Sequence, residues 1–150
     1  MVNKYVSLYH HIVFSTKGRQ PFIRPEWRER LWAYLGGIAR EDEMKALEIG
    51  GTSDHVHVLL SLPSVLSVAK AVQLLKGNSS KWINENLHPR PRFQWQEGYG
   101  AFTVGISQIE ATRKYIKSQE LHHRKKTFQE EYLSFLEKHG IAYDPRFVWG

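Results

Sequence analysis

Hydrophobic and polar positions alternate from Tyr5 to Thr16. Val6, Leu8, Ile12 and Phe14 take one face, with His10 among them, and Tyr9, His11 and Val13 take the other. This predicts a first β-strand that ends at the turn-forming Lys17-Gly18-Arg19. After Pro25 the period changes. Trp27, Leu31, Tyr34, Leu35 and Ile38 recur at helical spacing and predict a helix with one buried stripe. Pro25 opens it where a missing N–H costs nothing. Met44 to Ile49 reads as a second strand, residues 50–54 as a turn, and His55 to Leu60 as a third strand antiparallel to the second. A second helix follows from about Leu66 to Asn86. Val68, Val72, Leu75 and Trp82 form its apolar stripe, and Lys70, Gln73, Lys81 and Asn84 a polar side. Beyond the stiff, basic Pro89-Arg90-Pro91-Arg92, Phe93–Trp95 and Ala101–Val104 read as strand, interrupted by Gly98-Tyr99-Gly100. The order β-α-β-β-α-β predicts an α+β fold: a ferredoxin-like antiparallel sheet with both helices on one face.

The last third predicts helices of a different kind. Ser107-Gln108-Ile109-Glu110 reads as a capping box that starts a helix at about Gln108. Its main apolar residues are Ile109, Ile116 and Leu121, so it must lie on the open sheet face or on another subunit. Tyr115 and Gln119 are one turn apart on it, with Cβ atoms about 5–6 Å apart. Thr127 and Glu130 make a second capping box. The helix they start carries Phe128, Tyr132, Phe135 and Leu136 on its stripe and stops at Gly140. The tail, Ile141 to Gly150, is expected to be extended and packed by Phe147 and Trp149. The chain reads as one domain, residues 1–150, with a core over 1–105 and an appended region over 106–150.

Composition narrows the class. The 150 residues are 41% hydrophobic, which suits a globular fold. With no cysteine, disulfides and zinc–thiolate sites are excluded. No apolar run nears the roughly 20 residues of a membrane span, and the N-terminus lacks a signal-peptide pattern, so an intracellular, cytoplasmic protein is expected. The net charge of +6 and pI of about 9.6 suggest a polyanionic partner such as nucleic acid.

The candidate chemistry centres on the third strand. His55 and His57 share one of its faces, about 7 Å apart along the chain, while Val56, Val58 and Leu60 take the other. Two such imidazoles can grip a divalent metal. An isolated His-x-His is also common on a half-buried strand with polar residues facing water. If the helices cover Val56, Val58 and Leu60, the histidines face the opposite, open side. Of the seven tyrosines, Tyr5, Tyr9, Tyr34 and Tyr132 have core readings, Tyr99 sits in a Gly-rich bend where it could stack on a base, and Tyr143 lies in the tail. Tyr115 alone has a polar partner one turn away on a helix with little core to fill. Spacing alone leaves its role open. The run His122-His123-Arg124-Lys125-Lys126 suits phosphate contact. With it, Lys17, Arg19, Lys70, Lys81 and Tyr99 are the expected DNA contacts.

Together these motifs resemble a known family. His55-Val56-His57 after Asp54 looks like the HUH motif (His, hydrophobic, His). Tyr115-Ile116-Lys117-Ser118-Gln119 follows a fourth strand as in the single-tyrosine transposases of the insertion-sequence 200/605 type. Phe14-Ser15-Thr16-Lys17, Trp95 with Gly98-Tyr99, and Glu120 to Lys125 also resemble that family. No second tyrosine lies four residues from Tyr115, so the two-tyrosine HUH enzymes fit less well. The resemblance implies a DNA strand transferase. Tyr115 would attack single-stranded DNA to give a 5′-phosphotyrosine and a free 3′-hydroxyl, and His55, His57 and Gln119 would hold one Mg²⁺ or Mn²⁺. It further implies hairpin element ends as substrate, and a homodimer in which the Tyr helix of one subunit completes the histidine site of the other. The main rival is a single-stranded nucleic-acid-binding module of the same fold, which would need neither the histidines nor Tyr115. A second is a host-adopted relative that cleaves DNA without mobilising an element. A metal hydrolase is disfavoured because no carboxylate cluster accompanies the histidines.

Overall fold

The computed structural model describes residues 3–119 and 126–149. Its strands are β1 (Tyr9–Ser15), β2 (Lys45–Gly51), β3 (His55–Ser61) and β4 (Gly100–Thr103), and its helices are α1 (Pro25–Glu41), α2 (Val68–Asn86), α3 (Ile109–Lys117) and α4 (Phe128–Lys138). The sheet has the order β2-β3-β1-β4 and every pairing is antiparallel. With α1 and α2 on one face, this is the α+β, ferredoxin-like arrangement expected.

Alternation decides what each face buries. Ile12, Phe14, Val56, Val58 and Leu60 point toward Leu31, Leu35, Val72, Leu75 and Ile83 of α1 and α2 and form the main core with them. Each such buried side chain contributes about 1.5–3 kcal/mol. The opposite face carries two smaller apolar clusters. Val13 and Phe102 pack under Phe128, Tyr132 and Leu136 of α4. Leu59 packs under Ile109 and Ile116 of α3. The face expected to be open is therefore covered by α3 and α4, and the histidine strand is sandwiched between helix layers.

Four local expectations are corrected. The first strand begins at Tyr9 and not at Tyr5, because its neighbours run out: Tyr9 pairs Ser61 and His10 pairs Thr103. Tyr5 is left 91% exposed. Residues 93–95 form no strand. Trp95 makes an isolated bridge to Thr16 beyond the end of β1, and the Asn84 side chain instead clamps Phe93, bonding both its N–H and its carbonyl. The Ser107 capping box does not form. A 3₁₀ turn over Ile106–Gln108 swallows Ser107, and Gln108 takes the N-cap of α3 without a side-chain cap bond. The tail turns at Asp144, whose carbonyl accepts from the Phe147 and Val148 N–H groups, and Phe147 is 71% exposed. Only Trp149 packs as expected, beside Tyr132. The Thr127–Glu130 capping box is present.

Candidate active site

The site begins where β3 begins. A turn brings Thr52 back onto the strand, its N–H donating to the His55 carbonyl. Its hydroxyl donates to Asp54 Oδ1, which also lies 2.8 Å from His55 Nδ1. His55 Nε2 is thereby directed away from the turn, toward the layer of α3 and α4. His57 sits in the centre of the sheet, with Val13 across from it on β1 and Gly50 across from it on β2. Its Nδ1 lies 2.7 Å from His11 Nε2. Both His55 and His57 are 0% exposed. Burial and the neighbouring His57 hold His11 well below the usual histidine range, so it stays neutral.

A glycine decides how closely the tyrosine helix approaches. A Cβ on Gly50 would stand 2.5 Å from the main-chain oxygen of Ile116. Only glycine lets the backbone of α3 settle on β2 here, beside His57. Glu48 on β2 pairs Arg113 and Lys117 of α3 and fixes its direction. Tyr115 and Gln119 then project over the histidines. Gln119 donates through Nε2 to the Tyr115 carbonyl, and its Oε1 lies 2.9 Å from His55 Nε2. The expected group of His55, His57, Tyr115 and Gln119 is thus brought together, and by one chain. The resemblance implies a tyrosine helix from a partner, whereas α3 here lies over its own histidines.

The sequence reading missed Glu131. It is 3% exposed and stands on the buried stripe of α4, between Phe128 and Phe135. A carboxylate within an otherwise apolar helix stripe was the available signal. Its Oε1 lies 2.9 Å from His57 Nε2 and 3.8 Å from His55 Nε2, and its Oε2 accepts a short hydrogen bond from the Tyr115 hydroxyl. One side chain therefore links the tyrosine to the histidines. It also removes the ground given for disfavouring a metal hydrolase, since a buried carboxylate does accompany the imidazoles.

His55, His57 and Glu131 each offer a ligand atom, all within 4.8 Å of one another, and this group can hold a metal ion. The donor set fits. Neighbouring ligands about 2.1 Å from an octahedral ion stand about 3 Å apart, close to the 2.9 Å separations of His57 from Glu131 and of His55 from Gln119. Both imidazoles turn Nε2 to the centre while Nδ1 is held from outside by Asp54 or His11, the supporting arrangement metal-binding histidines use. A cleft of about 300 Å³ between α3 and α4 opens onto Tyr115 and Glu131, with Thr112, Lys126, Ser134 and Lys138 around it. Burial and the Glu131 carboxylate push the Tyr115 hydroxyl well above the usual phenol range.

Of the other expected contacts that are described, all but one lie apart from the site. Lys126 borders the cleft. Lys17 is exposed just beyond β1, and the Arg19 guanidinium lies 5.1 Å over the Trp149 ring. Lys70 and Lys81 are exposed on α2, in the opposite helix layer. Tyr99 is 37% exposed near Lys76. His122, His123, Arg124 and Lys125 lie outside the described residues. Among the described residues, no helix is long and apolar enough to cross a membrane.

Comparison with known proteins bears on the family and the fold. The family model "Transposase IS200 like" matches residues 4–119. The transposase for insertion sequence element IS200 of Salmonella typhimurium is 32% identical over 115 residues, covering 73% of this chain and 75% of the relative. The ISDra2 transposase TnpA of Deinococcus radiodurans is 26% identical over 118 residues, covering 75% and 84%. Two solved structures share the fold. One is a candidate transposase from Deinococcus radiodurans R1, with a TM-score of 0.63 and 23% identity over 79% of this chain and 96% of that one. The other is a REP-associated tyrosine transposase bound to a REP hairpin, with a TM-score of 0.59 and 11% identity over 82% and 74%. By the extent of the family match, which runs from before β1 through the tyrosine helix to Gln119, the chain belongs to the IS200-like transposases.

Proposed function

We propose that this chain cleaves and rejoins single-stranded DNA through Tyr115, with His55, His57, Gln119 and Glu131 holding a divalent metal, Mg²⁺ or Mn²⁺. The observation that carries this reading is the convergence of these five side chains, four of them buried and Tyr115 half-buried at the cleft, although they span residues 55 to 131.

A phenol with its ordinary pKa of about 10 is a weak nucleophile. Here the resting site holds Tyr115 protonated, so the proton must leave as the new bond forms. Glu131 already accepts the hydroxyl's hydrogen bond and is placed to serve as the base. Tyr115 Oη bonds to phosphorus, the P–O3′ bond breaks and the phenolic proton passes to Glu131. The 3′-oxygen leaves as a hydroxyl with a proton from solvent. The broken bond is kept as 5′-phosphotyrosine, and attack by another 3′-hydroxyl rejoins the strand without ATP. When bound, the ion would polarise the phosphodiester and neutralise charge on the leaving oxygen. Asp54 and His11 hold the imidazole tautomers in place. Lys126 and Lys138 beside the cleft suit the flanking phosphates.

A structural neighbour bound to a REP hairpin supports a hairpin-bearing DNA substrate. We place each site within one chain, because α3 is seated on β2 through Gly50 and Glu48. A homodimer would then pair two complete sites. The test is covalent capture: single-stranded DNA carrying the flanks of the gene, Mn²⁺, and a denaturing gel. We expect a protein–DNA adduct that Tyr115→Phe and His57→Ala abolish. Cleavage without an adduct would point to a metal hydrolase, and binding without cleavage to a plain binding module.

A further inference from the structure

A groove of about 620 Å³ runs between α2 and residues 92–99, in the helix layer remote from Tyr115. Three pins fasten its two walls together. Asn84 clamps the Phe93 backbone, Trp95 Nε1 donates to Ser79 Oγ at 2.9 Å, and Lys76 Nζ donates to the carbonyls of Glu97 and Gly98 at 3.1 and 2.9 Å. The groove is thus pre-formed rather than closed on demand. Its lining is mixed in a telling way. The Tyr99 ring is partly open to solvent, the amides of Gln73 and Gln94 are exposed, and the cations Lys76 and Arg92 outnumber the single carboxylate of Glu97.

An aromatic face, side-chain amides and a cationic surplus are what an unpaired base and its phosphate require: stacking, edge hydrogen bonds and charge neutralisation. The groove is tied to the proposed site through the end of the sheet. Gln96, next to Trp95, accepts from the Ser15 N–H through Oε1 at 2.6 Å and donates its own N–H to the Ser15 carbonyl. Ser15 pairs with His55 across the sheet. A strand leaving the histidines would have to round this end of the sheet to reach the groove.

We infer that this groove binds unpaired nucleotides of the same DNA strand that reaches Tyr115, with Tyr99 as the stacking platform and Arg92 on phosphate. The inference rests on the DNA-cleaving function proposed above.

The experiment measures binding in the full-length Tyr115→Phe background, where no covalent complex forms. A single-stranded oligonucleotide with 2-aminopurine at successive positions is titrated by anisotropy and fluorescence. Stacking on one aromatic is worth about 1–3 kcal/mol per base, so Tyr99→Ala should raise Kd about 5- to 150-fold and abolish quenching at one or two positions. Tyr99→Phe should restore both. Arg92→Ala should weaken binding and lower the salt slope by about one. Tyr99→Ala binding with unchanged Kd and quenching would overturn the inference, as would an equal loss on fully duplex DNA. Failure here with an intact wild-type phosphotyrosine adduct removes the groove alone. A Tyr99-dependent Kd without any adduct removes the proposed chemistry alone.

Discussion

Gly50→Ala is a one-carbon change that tests how the site is held. The added Cβ would meet the Ile116 carbonyl oxygen at 2.5 Å, about 0.9 Å inside the 3.4 Å of ordinary contact. Both atoms belong to, or hang directly on, main chain, so neither can swing aside. β2 is tied to β3 by a ladder that pairs Gly50 with His57. The nine-residue α3 has only Ile109 and Ile116 buried, so α3 must give. A shift of nearly 1 Å moves Tyr115 and Gln119 relative to the histidines, and misplacements of that size cost about 10²-fold in rate. The assay is the first-turnover rate of adduct formation with Mn²⁺, read beside thermal unfolding. Gly50→Ala should form adduct about 100-fold more slowly while the main core, which lies on the other face, keeps the protein folded. Adduct formation at the wild-type rate would refute the claim that this glycine seats the nucleophile.

Other outcomes follow from the same geometry. His11→Ala should weaken Mn²⁺ binding, measured calorimetrically, by about 10- to 100-fold through loss of the bond that orients His57, and His11→Gln should recover part of it. Mixing Tyr115→Phe with His57→Ala should yield no adduct if each chain completes its own site, and recovered adduct would show exchanged helices. EDTA should abolish the adduct, and added Mn²⁺ should restore it more effectively than Mg²⁺, which prefers an all-oxygen shell. Burial lowers Lys76 from 10.5 to about 8. Between those values the unfolded chain binds more protons than the native one, so this residue's contribution to stability should grow as pH rises from about 8 to 10.5. Urea titrations of wild type and Lys76→Met should therefore diverge across that window.

The strand–helix alternation in the sequence identified the sheet, its helix layer and the face the histidines take, because Val56, Val58 and Leu60 leave no choice. It also set Gln119 four residues after Tyr115, but the helix ends at Lys117, and Gln119 reaches the histidines from just past the Ser118 C-cap. What it could not reveal is contact between distant elements. Glu131 lies beside Glu130, whose capping role is legible locally, whereas the role of Glu131 depends on α4 crossing β1 and β4. His11 shares a face with Val13 in any strand reading, but its bond to His57 requires the β1–β3 pairing. Local signals also misled where tertiary packing overruled them. Ser107 has capping chemistry, yet the chain turns one residue too early for it, and Phe147 has an anchor's bulk in a tail that bends away.

The placement of β3 divides the molecule mechanically. It has a strand on either edge and helices on either face, so its amides should exchange with solvent only when the whole domain unfolds. The helix carrying Tyr115 is too short to persist alone and is held by a few contacts. One partner in the chemistry is set like an anvil in the most rigid part of the protein. The other rides on a short helix expected to open before the sheet does, and a hydrogen-exchange map should separate the two by their protection.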